Sequence, residues 1–259
     1  MAERPGSELP NAGAAGMGIP ATDPLYHQDS YIRTFEARVV GVEGAAVALD
    51  RTAFFPGGGG QLADQGALIW EGQRLPLSGL SKRDDVVWHA LEAGAATPPV
   101  GADVTGELDW DFRYRMMRTH TALHMLCGII FRDFGAQVTG GQMYPDRARM
   151  DFALEVPAPD LVRDIEARVN EAVATNHTIK VYTLPRDEAF AIPDLIRTKI
   201  NLLPPGITRV RIVEIEGLDL QADGGTHVHG TREVRGIRVL KTENKGKQNK
   251  RIEIALVDD

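Results

Sequence analysis

From about Ser30 onward, apolar and polar positions alternate with the period of two that a half-buried strand imposes. Arg33–Val40 runs Arg-Thr-Phe-Glu-Ala-Arg-Val-Val, and Ala45–Leu49 is apolar between glycine and acidic breaks. Ala67–Trp70, Val86–His89 and Asp103–Leu108 continue the rhythm of short strands. This spacing predicts a small β-barrel over residues 24–108. Inside it, Phe54-Phe-Pro-Gly-Gly-Gly-Gly-Gln61 suits neither helix nor regular strand and reads as a tight turn. The turn lacks the Lys-Ser/Thr of a phosphate-binding P-loop, and no helical pattern follows it. It is expected to pack closely against another domain or against RNA.

The period then changes. Met116, Leu123, Leu126 and Ile130 recur at helical spacing within Asp111 to about Phe134. Leu161, Ile165, Val169 and Val173 do the same from Asp160 to about Ala174. With strands at Met150–Leu154, Val210–Ile215 and Ile252–Leu256, residues 109–259 read as a second, α+β domain. The charged stretch Lys241–Arg251 reads as a flexible, hairpin-like loop. Residues 1–23 are rich in Gly, Ala and Pro with almost no large apolar side chain, and are expected to be a disordered tail.

Bulk properties narrow the partners. With 259 residues, 43% of them apolar, the chain can build one large or two ordinary domains. A net charge of −7 excludes a broad basic face for nucleic acid, so any RNA contact must be local. A single cysteine, Cys127, rules out an intramolecular disulfide and fits a reducing compartment. The longest apolar stretch, around Leu123–Phe131, is too short to span a bilayer. The first residues lack a basic start followed by an apolar core. A cytoplasmic protein is the expectation.

His120 and His124 stand four residues apart on the first helix, one turn apart on the same face. His227 follows about a hundred residues later in Asp223-Gly-Gly-Thr-His227. Two ligands on a rigid helix plus one or two from a distant turn is a normal way to hold zinc. His120-Thr-Ala-Leu-His124 lacks the Glu that an H-E-x-x-H protease uses as general base, and Thr121 cannot replace it. Asp223 reads as a fourth ligand, a partner orienting a histidine, a general base, or a turn-former before two glycines. Gln221 and His229 are further polar candidates. Cys127 returns to the face of His120 but two turns away, and reads as a buried, inert thiol.

Taken together, these motifs resemble the editing domain of alanyl-tRNA synthetases and its free-standing AlaX relatives. Arg118-Thr-His120-Thr-Ala-Leu-His124-Met-Leu resembles the first zinc motif of that family. Asp223-Gly-Gly-Thr-His227-Val with Thr231-Arg-Glu-Val resembles the second. Phe55–Gln61 with Asp64 and Gly66 is similar to the glycine-rich loop of the preceding barrel. Tyr144-Pro-Asp-Arg-Ala-Arg-Met-Asp-Phe152 and Arg251-Ile-Glu253 match in character. The resemblance spans about residues 30 to 257 in the family's order, and the length fits the medium-sized AlaX type.

The resemblance implies an α+β fold, with a small barrel followed by a zinc-containing editing domain. It implies zinc held by His120, His124, Asp223 and His227, the same residues carrying catalysis. The implied reaction is trans-hydrolysis of mischarged tRNA(Ala), carrying serine or glycine. No aminoacylation module stands ahead of the barrel, so tRNA charging is not expected. One departure is plain: the family's second motif usually has Cys where this chain has Asp223. A carboxylate is a harder ligand that still suits zinc. Three histidines plus water is the other arrangement that a hydrolytic site takes. Lys245, Lys247, Lys250 and Arg251 are expected to hold acceptor-end phosphates, the alternative being a solvated hairpin. The competing function is a non-catalytic, zinc-stabilised RNA-binding module, with four protein ligands around a closed ion.

Overall fold

The computed structural model describes residues 18–154, 159–199, 203, 206–246 and 249–258. The expected barrel is present and closed. Its strands are β1 (Thr34–Glu43), β2 (Ala46–Leu49), β3 (Gly66–Trp70), β4 (Gln73–Arg83), β5 (Val86–Leu91) and β6 (Asp103–Leu108). They run β1-β2-β5-β4-β3-β6 around the barrel, every neighbour antiparallel. Alternation works as read on β1, where Phe35, Ala37 and Val39 are buried while Thr34, Glu36 and Arg38 face out. With Val47, Leu49, Phe54, Leu68 and Val104 they form one core. Strand β4 gives no such signal. Only its Leu75 is fully buried, so its polarity hides its place in the ladder.

The second unit begins with helix α1 (Trp110–Phe134), capped by Asp109, whose carboxylate accepts from Phe112 N at 3.1 Å. After it come β7 (Val138–Met143), β8 (Arg147–Phe152), α2 (Pro159–Thr175), β9 (Ile179–Pro185), β10 (Arg209–Ile215), β11 (Asp219–Ala222), β12 (Ile237–Gly246) and β13 (Asn249–Leu256). Strands β12-β13-β8-β7 form one sheet and β9-β10-β11 another. Helix α1 lies between them. Every residue from Met116 to Ile130 is buried, so α1 is enclosed on all sides and its histidines are inside the protein. A charged or polar residue on such a helix needs a partner.

Two expectations change in detail. The stretch read as a loop from Lys241 to Arg251 is mostly paired strand, with Thr242 opposite Ile252 and Asn244 opposite Lys250. The partner strand β13 buries Ile252 and Ile254 and so imposes register on a β12 whose outer half has no apolar pattern of its own. Of the expected tail, residues 1–17 lie outside the described residues. Its last part does not stand free: Thr22 is buried, donates to Leu49 O at 2.9 Å and accepts from Val87 N at 3.0 Å.

What joins the two units is a buried guanidinium. Arg113, in the first turn of α1, is fully buried, as is the carboxylate of Asp64 from the barrel's glycine-rich segment. Arg113 Nε donates to Asp64 Oδ1 at 3.0 Å, Nη1 donates to Ser30 O at 2.8 Å, and Nη2 reaches Ala53 O and Asp64 Oδ2. Asp64 Oδ2 also accepts from Phe55 N at 2.6 Å. Removing one charge of such a pair leaves the other buried and uncompensated. Asp64→Asn is therefore expected to cost about 3–5 kcal/mol of stability, read as a lowered urea midpoint.

Candidate metal centre

Helical spacing delivers His120 and His124 from α1 to one point, and the segment after β11 delivers Asp223 and His227 to the same point. One ligand-capable atom from each of the four lies within 4.8 Å of all the others. Asp223 sits among the imidazoles. Its Oδ2 is 3.1 Å from His227 Nε2, and its Oδ1 is 3.5 Å and 4.0 Å from Nε2 of His120 and His124. All three rings therefore turn Nε2 inward.

Their Nδ1 atoms are each engaged from outside. His120 Nδ1 is 3.0 Å from Gln61 Oε1, which also accepts from Thr226 N at 3.2 Å, while Gln61 Nε2 donates to Thr226 Oγ1 at 2.9 Å. These bonds orient the Gln61 amide, so His120 must donate through Nδ1 and keep the Nε2 lone pair for the centre. His124 Nδ1 donates to Asp219 Oδ2 at 3.1 Å, an oxygen that also takes a hydrogen bond from Gln221 at 2.6 Å. His227 Nδ1 is 3.1 Å from Thr121 Oγ1. Outer partners that set tautomer and ring orientation are the usual support of metal-binding histidines. This donor set fits a divalent metal of the zinc type, for which neutral imidazole and carboxylate are suitable ligands.

The electrostatics agree. Burial pushes His120 well below its ordinary value, against the pull of Asp223. Burial also lowers His227 to about 4. Burial is the largest single influence on His124 and pushes it down, but its bond to Asp219 together with the charges of Asp223 and Asp219 outweighs it, so its net shift is upward. Burial raises Asp223, yet His120, His227 and His124 together outweigh it and hold the carboxyl well below the usual range. Arg211, itself buried, adds a guanidinium 3.8 Å from Asp223 Oδ2.

Two glycine-containing segments explain how these elements approach. Gly57, Gly58, Gly59 and Gly60 all have positive φ, with Gly58 N to Gln61 O at 3.0 Å and Gln61 N to Gly58 O at 2.9 Å. The resulting turn projects Gln61 into the second unit, as the expected close packing against another domain requires, and Gly60 O accepts from Met143 N at 3.0 Å. Neither Gly224 nor Gly225 has positive φ. Gly225 is needed for contact instead: a Cβ there would lie 2.3 Å from His120 Cε1 and 2.6 Å from Gln61 Oε1.

The remaining sequence candidates take other places. Gln221 supports Asp219 and lies 3.5 Å from His124 Nδ1. His229 turns away and stacks on Tyr31, ring centroids 4.0 Å apart. Cys127 is a free thiol in the core, and burial pushes its ionisation up. Lys245 is exposed and 3.1 Å from Glu243; Lys247 lies outside the described residues. Lys250 is buried with Nζ 3.3 Å from Gly246 O, and Arg251 grips both oxygens of Asp151 at 2.7 and 2.8 Å. Sequence reading passed over Asp219 and Arg211 entirely and assigned Gln61 no contact with a histidine. Only the fold brings them to α1, and no local spacing signals it.

A cavity of about 590 Å³ opens beside the cluster, bordered by His120, His124, Asp223, Gly60, Leu123 and Met143. That volume is within the range of sites that take a small-molecule moiety. If the Gln61 bond sets the His120 tautomer, Gln61→Ala weakens divalent-metal affinity about 10–100-fold, measured by competition with a chelator of known affinity.

Similarity to known proteins follows the same two units. Residues 28–112 match the family model of tRNA synthetases class II (A), and residues 210–253 match that of the threonyl and alanyl tRNA synthetase second additional domain. An alanyl-tRNA editing protein AlaX-M from Saccharolobus solfataricus is 43% identical over 233 residues, covering 89% of this chain and 97% of that protein. The AlaX-M protein of Methanosarcina mazei is 40% identical over 244 residues, covering 92% and 97%. An alanine–tRNA ligase from Ignicoccus hospitalis is 36% identical over 93% of this chain, which matches 26% of that much longer enzyme.

Proposed function

The chain belongs to the AlaX-M family of alanyl-tRNA editing proteins, and from that premise we propose that it hydrolyses mischarged tRNA(Ala) at a zinc centre. The observation that carries this reading is the convergence of three imidazole Nε2 atoms and the Asp223 carboxylate beside a cavity that His120, His124 and Asp223 border. The substrates proposed are Ser-tRNA(Ala) and Gly-tRNA(Ala). An aminoacylation pocket discriminates one methyl by only ~1–3 kcal/mol, and a hydrophobic pocket rejects an added hydroxyl poorly. A separate hydrolytic sieve is the physical remedy.

His120, His124, Asp223 and His227 would hold the zinc. When bound, zinc supplies Lewis acidity and a fixed positive charge beside the ester. Gln61, Asp219 and Thr121 keep the three imidazoles aimed at one point, so little reorganisation is needed as charge develops. Asp223 is assigned as the fourth ligand because its two oxygens stand between the three Nε2 atoms. Leu123 and Met143 supply an apolar wall on which the acceptor end is seated. Water adds to the acyl carbon, the bond from that carbon to the ribose oxygen breaks, and the ribose oxygen takes up a proton. Lys245 and Lys247 are proposed phosphate contacts, with Lys250 and Arg251 ordering the hairpin that carries them. The alternative, a closed zinc site in a non-catalytic RNA-binding module, is disfavoured by the cavity that three of these four residues, His120, His124 and Asp223, border.

Purified protein is expected to deacylate Ser-tRNA(Ala) and Gly-tRNA(Ala) and to spare Ala-tRNA(Ala). Stripping the metal with a chelator abolishes the activity and zinc restores it. Alanine at His120, His124 or His227 lowers both zinc content and deacylation by orders of magnitude; full activity in metal-free protein would overturn the reading. At position 223, Asp223→Cys retains zinc because thiolate is a good donor, whereas Asp223→Asn loses it. Equal zinc content in the Asn variant and the parent protein would remove Asp223 from the ligand set.

A further inference from the structure

Two residues before the first cluster histidine, Arg118 leaves α1 on nearly the opposite side, since two residues turn a helix by about 200°. Its side chain is 3% exposed. Nη1 donates to Asp258 Oδ1 at 2.6 Å and Nη2 to the carbonyls of Val234 and Val257 at 3.0 and 3.3 Å. Nε has no partner among the described residues. Two further arginines approach the same carboxylate. Arg115 Nη1 is 3.7 Å from Asp258 Oδ2, and Arg235 Nη1 is 3.8 Å from Oδ1. Both are about half exposed, at 47% and 50%. Among the described residues, three guanidiniums pair with this one carboxylate, on a chain whose net charge is −7. Arg235 stands at φ 67° and ψ −47°, a backbone conformation that side-chain-bearing residues seldom occupy.

The neighbourhood suits a nucleic acid. On the preceding turns of α1, Trp110 and Tyr114 stack with ring centroids 5.6 Å apart, and the Arg33 guanidinium lies 4.2 Å over Trp110. An open depression of about 430 Å³ adjoins Arg235 and is lined also by Arg232 and His229. Glu233 also borders it and accepts from Tyr31 and Tyr114 hydroxyls at 2.6 and 2.9 Å. Alternating basic and aromatic side chains are the composition that tracks an RNA strand.

We propose that Arg115, Arg118 and Arg235 form a binding site for a backbone phosphodiester of the tRNA, with the Asp258 carboxylate as its intramolecular stand-in. The proposal rests on the tRNA-editing reading above and adds a contact to it. A phosphodiester carries the same single charge as the carboxylate and meets guanidinium forks in the same way. Because the site faces away from the metal cluster across the helix, it holds a phosphate of the tRNA body rather than the reacting ester. Asp258 then competes with the substrate, and its removal strengthens binding.

The test measures affinity for uncharged tRNA(Ala) against salt concentration. In the double variant Arg115→Gln/Arg235→Gln, affinity is expected to fall about tenfold and the log–log salt slope to flatten by about 1. Asp258→Asn is expected to move affinity in the opposite direction. With Ser-tRNA(Ala) as substrate, the double variant raises KM more than kcat falls, and loses more on tRNA than on a 3′-seryl ester of adenosine, which lacks backbone phosphates. Thermal melts confirm that each variant is folded, and the exposed arginine pair supplies the answer even if Asp258→Asn is unstable. An unchanged salt slope in the double variant, or weaker binding in folded Asp258→Asn, overturns the site. A parent protein that binds tRNA(Ala) but leaves Ser-tRNA(Ala) intact overturns the editing reading and spares the site.

Discussion

The buried pair of Arg113 and Asp64 sets where the barrel meets the helix that carries the histidines. Neither charge has access to water, so each is tolerable only with the other and with the carbonyls of Ser30 and Ala53 in place. That requirement ties the segment before β1, the glycine-rich loop and the first turn of α1 into one rigid joint. Asp64 lies three residues after Gln61, and Arg113 lies two turns before His120. The pair therefore acts on the site through two short lengths of backbone. A loop free to shift by even an ångström would take Gln61 Oε1 away from His120 Nδ1.

From that joint the centre is built outward in layers of hydrogen bonds. Gln61 belongs to the barrel, Thr121 to α1, and Asp219 to β11, so three separate elements each orient one imidazole. Burial favours neutral rings at His120 and His227, and neutral imidazole is the form that ligates metal. The same burial would penalise Asp223, and its contacts with the three imidazoles reverse the penalty. A centre of this kind is costly for an apolar core to contain. Its position on an enclosed helix, beside a cavity, is better explained by chemistry than by stability.

The two charged surfaces contrast. On the β12–β13 hairpin, lysines and acids interleave: Glu243 alone takes Lys241 at 2.7 Å and Lys245 at 3.1 Å. Around Asp258, three arginines pair with one carboxylate among the described residues. A hydrogen-bonded cation in a balanced network contributes little to long-range attraction, whereas an unbalanced cluster keeps its field. In an acidic chain, that difference matters more than the number of lysines in a stretch of sequence.

The sequence by itself determined the periodic elements and the candidate ligands. Alternation marked β1, β2, β3, β5 and β6, helical spacing marked α1 and α2, and the i, i+4 histidines could face only one way. These are local properties, set by backbone geometry over a few residues. Strand β4 and the outer half of β12 were illegible because their side chains are largely exposed, and pairing with a patterned neighbour decides their conformation. Gln61, Asp219 and Arg211 were not visible as site residues. Their partners lie 59, 95 and 12 residues away, and a hydrogen bond at that separation leaves no mark in spacing. Only the tertiary structure decided which polar groups would be buried together, because in a water-free interior each donor must take whichever acceptor the fold brings within reach.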